Sequence, residues 1–220
     1  MGYNIAIDGP AGAGKSTIAK KVAEKLGFIY IDTGAMYRSV GLYFSRNHVD
    51  VKDPEAVEKA LGEIDIKLAY EDGLQHVILN GEDVSSLIRT TEAGNMASTV
   101  GTLGPVRQKL VAMQQKLAAE NDSVLDGRDI CTVVLPHADV KVYLTASVEV
   151  RAERRLKDYQ KKGLQITLEE VADEVRKRDE QDMNREIAPL RKADDAELVD
   201  SSFMTIDQVV DAIIGLTKHA

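Results

Sequence analysis

A chain of 220 residues, 44% hydrophobic and 29% charged, has room for one sizeable core or two smaller ones. Its 28 Lys+Arg against 36 Asp+Glu give a net charge of −8, which disfavours a broad phosphate-backbone footprint, so no nucleic-acid partner is expected. A single cysteine, Cys131, excludes an internal disulfide, no run approaches the roughly 18 apolar residues of a membrane span, and the N-terminus lacks a leader pattern; the expectation is a cytoplasmic, membrane-free chain.

In chain order, YNIAID (3–8) reads as a short buried strand, and a glycine-rich turn follows it. KSTIAKKVAEKLG (15–27) spaces Ile18, Val22 and Leu26 four apart and stops at Gly27, as an amphipathic helix does. FIYID (28–32) predicts a second strand, and AMYRSVGLYFSRN (35–47) a helix with Met36, Val40, Tyr43 and Phe44 on one side. Between 63 and 84, apolar and polar residues alternate around Asp72-Gly73 and Asn80-Gly81, which predicts a small antiparallel meander. Further strands are expected at 124–126, 140–146 and 197–201, with helices at 105–120, 147–161, 167–183 and 205–218. Strands alternating with helices imply parallel βαβ units.

GPAGAGKS (9–16) matches G-x-x-x-x-G-K-[ST] between a predicted strand and a predicted helix. Gly9, Gly12 and Gly14 let the backbone curl, so that successive N–H groups of Pro10-Ala11-Gly12-Ala13-Gly14 and beyond face a phosphate at the helix N-terminus. Lys15 would reach the β and γ phosphates, Ser16 would ligate Mg²⁺, and Thr17 would face a phosphate from the first turn. Asp8 is expected to cap or brace this turn. ATP binding with Mg²⁺ follows.

The acceptor is less local. No Asn-Lys-x-Asp base reader marks a GTPase, and no apolar run ends in Asp-Glu as in a motor ATPase. Arginines recur instead after strands and in helical stretches, and their forks suit phosphoryl groups. Asp126, Arg128 and Asp129 fall within four positions, open to reading as a solvated turn, a metal site or a reader of a small polar ligand. The four histidines show no metal-ligand spacing, and Cys131 reads as a small buried side chain.

IDGPAGAGKST, DTGAMYR, DGRD-x-x-TVV-x-P and RDEQDMNREIAPL together resemble the bacterial cytidylate kinases, in that order and over essentially the whole chain. The resemblance implies a three-layer α/β P-loop NTPase fold: a five-stranded parallel sheet, a small antiparallel insert and a helical lid. It implies a core of 1–33, 101–150 and 163–220, a monophosphate-binding domain of 34–100 with its insert at 63–84, and a lid at 151–162. The implied activity is transfer of the γ-phosphate of ATP to CMP or dCMP, in pyrimidine nucleotide metabolism; a monomer is expected because the sequence shows no long exposed apolar stripe. The monophosphate would be held by Arg38, Arg128 and Arg178 with Thr33, cytosine read by Ser98, Arg107 and Asp129, and ribose gripped by Asp182 and Arg185. Thr33 stands where a serine is common in the family, and its hydroxyl keeps the contact. The lid candidates are Arg151, Arg154 and Arg155, and Lys15, Arg128, Arg178 and Arg155 form the expected catalytic set. A carboxylate at 129 can accept from the exocyclic amine of cytosine, which uracil lacks. Asp126 would orient Arg128 or a water on Mg²⁺.

Overall fold

The computed structural model describes residues 2–71, 74–161 and 163–218, so the Asp72-Gly73 turn signal, lid residue 162 and His219 lie outside it. Two compact units divide the chain: Met1–Tyr30 with Ala118–Ala220, and Ile31–Leu117.

The first unit is built on a five-stranded sheet in the order β2-β6-β1-β7-β8, where β1 is Asn4–Asp8, β2 Ile29–Asp32, β6 Ser123–Gly127, β7 Val140–Thr145 and β8 Glu197–Asp200. β1 runs parallel to both β6 and β7, and β7 parallel to β8. Ile5, Ala6 and Ile7 are each 0% exposed, so both faces of β1 are covered, which is why it reads as an unbroken apolar run. Helix α1 (Lys15–Leu26) lays Ile18, Ala19, Val22 and Ala23 on that core and ends where Gly27 turns left-handed and its N–H meets the Ala23 and Glu24 carbonyls. Helix α8 (Ile206–Ile214) adds Val209, Val210 and Ile213, and begins at a Thr205/Gln208 capping box. Helices α6 (Val148–Lys161) and α7 (Leu168–Asn184) form a separate small core of Ala152, Tyr159, Val171 and Ala172. A single π-helical turn at Ile130–Val134, for which the sequence pattern assigns no element, follows β6.

The second unit holds α2 (Thr33–Arg46), α3 (Pro54–Gly62), the antiparallel β3 (Ile66–Glu71), β4 (Leu74–Leu79) and β5 (Glu82–Asp83), then α4 (Thr91–Val100) and most of α5 (Gly104–Glu120). The expected meander is present. Its core runs through Met36, Val40, Phe44, Leu61, Val77, Val84, Ile88 and Leu110, all buried. Helices α3 and α4 were not anticipated. Asp53 and Pro54 are a proper helix start, whereas TEAGNMASTV has no apolar period and is held by its neighbour: a Cβ on Gly41 of α2 would lie 2.8 Å from the Met96 Cβ. No helix among the described residues is long and apolar enough to cross a membrane.

Candidate active site

The turn from β1 to α1 has the backbone its glycines permit: φ is 150° at Gly9, 77° at Gly12 and 89° at Gly14. At Gly9 there is a second constraint, because a Cβ would sit 1.9 Å from the Leu144 carbonyl oxygen of β7. Lys15 is buried, and its Nζ donates to the Pro10 carbonyl at 2.8 Å. Burial, and then the Arg128 cation, bring its pKa down to about 7 against the pull of Asp126 and Asp8.

Two carboxylates at the sheet's C-terminal edge brace this turn and its surroundings. Asp126 lies in register with Ile7; its Oδ2 accepts from Ser16 Oγ at 2.8 Å and its Oδ1 from the Tyr30 hydroxyl at 2.7 Å. These two contacts join Asp126 to the P-loop serine and to β2, while the hydrogen-bonded partner of Arg128 Nε is Asp182. Asp8 braces the π-helical turn, not the P-loop: its two oxygens accept from the Ile130 and Cys131 N–H groups at 2.8 Å each. Burial raises its pKa to about 6, opposed by those two bonds. Burial likewise pushes the neighbouring Cys131 thiol up, so it stays protonated and packs as a small apolar side chain.

Beyond β6, Arg128 Nε donates to Asp182 Oδ2 at 2.7 Å, and Arg178 Nε stands 3.6 Å from the same oxygen. Burial works against both members, yet Asp182 holds the Arg128 guanidinium above its usual pKa, and the two arginines hold the Asp182 carboxyl below its own. Arg185 Nη2 meets Asp129 Oδ1 at 3.2 Å, while its Nε donates to the Ala188 carbonyl. Of the three expected lid arginines, Arg151 and Arg154 donate to the P-loop carbonyls of Ala11 and Ala13. Arg155 instead donates to the Tyr159 hydroxyl and lies 3.6 Å from Glu174.

In the second unit, Asp32 caps α2 through Ala35 N–H and accepts from Arg38 Nη2 at 2.9 Å. Thr33 is buried on the first turn, and Ser98 is half-buried on α4. Arg107 is 5% exposed, 6.0 Å from the centroid of the Tyr37 ring, with Nη1 donating to the Gly101 carbonyl at 3.5 Å. Met36 is core, at 0% exposed.

The first unit thus gathers Lys15, Ser16, Arg128, Asp129, Arg178, Asp182 and Arg185, and the second carries Thr33, Arg38, Ser98 and Arg107. The sequence reading missed Tyr30 and Asp179. It also missed the Ser16–Asp126 contact, whose one available signal was an acid ending the strand expected at 124–126. Ser16 Oγ and Asp126 Oδ2 are hard oxygen donors, and no group of three or more His, Cys, Asp or Glu among the described residues could hold a metal by itself. That donor set fits Mg²⁺, which keeps waters and shares its ligands with substrate phosphates.

A parallel sheet whose first strand opens through a glycine nest into a helix, with a buried lysine and arginines beside it, defines a P-loop kinase. A solved structure of an uncharacterized protein from Eubacterium ventriosum shares the fold, with a TM-score of 0.55 at 12% identity over 98% of this chain and 97% of that one. The family model described as Cytidylate kinase matches residues 5–219. The cytidylate kinase of Shouchella clausii is 50% identical, covering 99% of this chain and 97% of its own. That of Caldicellulosiruptor bescii is 48% identical, covering 97% and 94%. The chain belongs to the cytidylate kinase family.

Proposed function

We propose that this chain transfers the γ-phosphate of ATP to CMP or dCMP, releasing CDP or dCDP and ADP. The reading rests above all on one arrangement: Lys15, Arg128 and Arg178 are gathered around carboxylates at the mouth of a phosphate nest. A monophosphate oxygen is already a nucleophile, so the protein needs alignment and charge neutralisation more than a base. In this reading the nest amides and Lys15 hold the β and γ phosphates. Arg128 and Arg178, with Arg38 of the second unit, hold the acceptor phosphate. Mg²⁺ on Ser16 and Asp126 would neutralise charge on the donor phosphates when bound with ATP. Asp182 acts as the counter-charge that fixes Arg128, and Arg185 aims Asp129 as an acceptor for the cytosine amine, with Ser98 and Arg107 completing the base reader. Asp182 and Arg185 also grip the ribose.

The chain then divides by role into a core of 1–33, 101–150 and 163–220, a monophosphate-binding part of 34–100, and a lid of 151–162 from which Arg155 reaches the transferring phosphoryl group. The test couples ADP release to a spectrophotometric readout with ATP and Mg²⁺ and compares CMP, dCMP, UMP, AMP, GMP and dTMP. Turnover confined to CMP and dCMP is the expected result. Equal turnover of UMP would keep the kinase and remove the base reader, and no acceptor-dependent turnover would overturn the reading.

A further inference from the structure

A trans peptide points its C=O and the following N–H in opposite directions, so whatever grips a P-loop carbonyl also aims the next amide. Three such carbonyls are gripped. Pro10 accepts from Lys15 Nζ at 2.8 Å, Ala11 from Arg151 Nη1 at 3.0 Å, and Ala13 from Arg154 Nη1 at 3.3 Å. The amides paired with the last two belong to Gly12 and Gly14, whose positive φ makes their peptide planes easy to turn without such a hold.

Arg151 is built in as a fork. It is 4% exposed; Nε donates to the Ala146 carbonyl at 2.9 Å, and Nη2 meets Asp179 Oδ2 at 2.7 Å. A Cβ on Gly12 would come within 3.2 Å of the Arg151 Cβ, so helix α6 lies directly against the loop. Asp179 sits on α7 beside Arg178, and its Oδ1 has no hydrogen-bond partner among the described residues. A buried pair with an unsatisfied oxygen is a poor source of stability, since apolar residues of the same volume do as well or better. Its geometry is accounted for by placement. Arg154 repeats the pattern from one turn later, with Nη2 on the Ser201 carbonyl at 2.8 Å and Nη1 on Ser201 Oγ at 3.1 Å, just past β8.

We infer that Arg151 and Arg154 are positioning residues for the phosphate nest: each holds a P-loop carbonyl from behind so that the Gly12 and Gly14 amides face the nucleotide, and Asp179 sets the Arg151 fork. This separates them from Arg155, which donates to neither carbonyl. The inference rests on the reading of the P-loop as the ATP site, and not on the identity of the acceptor.

Calorimetric titration of the full chain with Mg-ATP, and separately with inorganic tripolyphosphate, tests it. In Arg151→Gln both dissociation constants should rise about tenfold, and in Asp179→Asn and Arg154→Gln about threefold to fivefold. Arg151→Lys should stay as weak as Arg151→Gln, because one ammonium cannot serve three in-plane acceptors. Constants within twofold of the parent in folded Arg151→Gln would overturn the inference, and so would full rescue by lysine, which would mean that charge alone matters. Should Arg151→Gln fail to fold, Asp179→Asn and Arg154→Gln decide by the same twofold limit; failure of all three to fold would overturn the inference in favour of a purely structural role. A parent that binds tripolyphosphate yet turns over no CMP would sink the acceptor reading alone.

Discussion

The two units bury charge very differently. In the first, Asp8, Lys15, Asp126, Asp129, Arg151, Asp179 and Asp182 are all buried; in the second, among the described residues, Arg107 is the one charged side chain in that class. Ions taken out of water are costly unless paired, so the first unit carries a set of largely paired charges, Asp179 Oδ1 excepted, which in the proposed reading serve a polyphosphate. The second unit is held by apolar packing around Phe44 and Leu110, and its charges sit mostly at the rim, as Arg46 with Glu82 does. Changes in the first unit should therefore alter stability along with activity, lowering it where a buried partner is left bare and sparing or raising it where a desolvated charge is removed, whereas changes in the second should leave stability unchanged.

The largest effect expected is from Lys15→Ala. Turnover should fall on the order of a thousandfold, while the thermal midpoint does not fall, because a desolvated cation is removed; a lower midpoint would show that Lys15 is a structural ion. Arg128→Ala should lower turnover by about a hundredfold and, in urea denaturation, cost about 2 kcal/mol, because buried Asp182 loses its hydrogen-bonded cation and keeps only the more distant Arg178. An unchanged urea midpoint would break the contrast between the units.

Substitutions at the proposed base reader sharpen it. Asp129→Ala should remove most of the preference for CMP over UMP, a loss of about a hundredfold in the ratio of kcat/KM. Arg107→Met, in the second unit, should lose about tenfold of that ratio with no loss of stability in the same urea titration. The smallest effect is in pH. Free Lys15 titrates at about 7, and phosphate favours its charged form, so ATP binding should take up a proton above that pH. Affinity should then weaken by a few-fold between about pH 7 and 8, and Lys15→Arg, which stays protonated, should flatten the dependence; calorimetry in buffers of different ionisation enthalpy reads both.

The P-loop, α1 and the meander were legible because each depends on neighbours in the chain: Gly9, Gly12 and Gly14 on backbone angles, Ile18 and Val22 on helical spacing, and 63–84 on alternation. Helix α4 was not, because its ten residues carry no apolar period and take their conformation from packing on α2. The roles of the acids were only half legible. For Asp126, expected on Arg128 or a metal-bound water, the contacts with Ser16 and Tyr30 were not foreseen; Asp8 was expected on the P-loop, and it holds Ile130 and Cys131.

By itself, then, the sequence determined the nest, the βαβ order and the family motifs, because a curled phosphate loop and a buried strand demand particular residue types at fixed short spacings. The tertiary structure alone decided which carboxylate each cation meets. Ser16 reaches Asp126 across 110 positions through the register of β6 on β1, and Arg151 reaches Asp179 through the packing of α6 on α7. Such pairs carry no local signature: their partners are chosen by where burial leaves a charge that must be met.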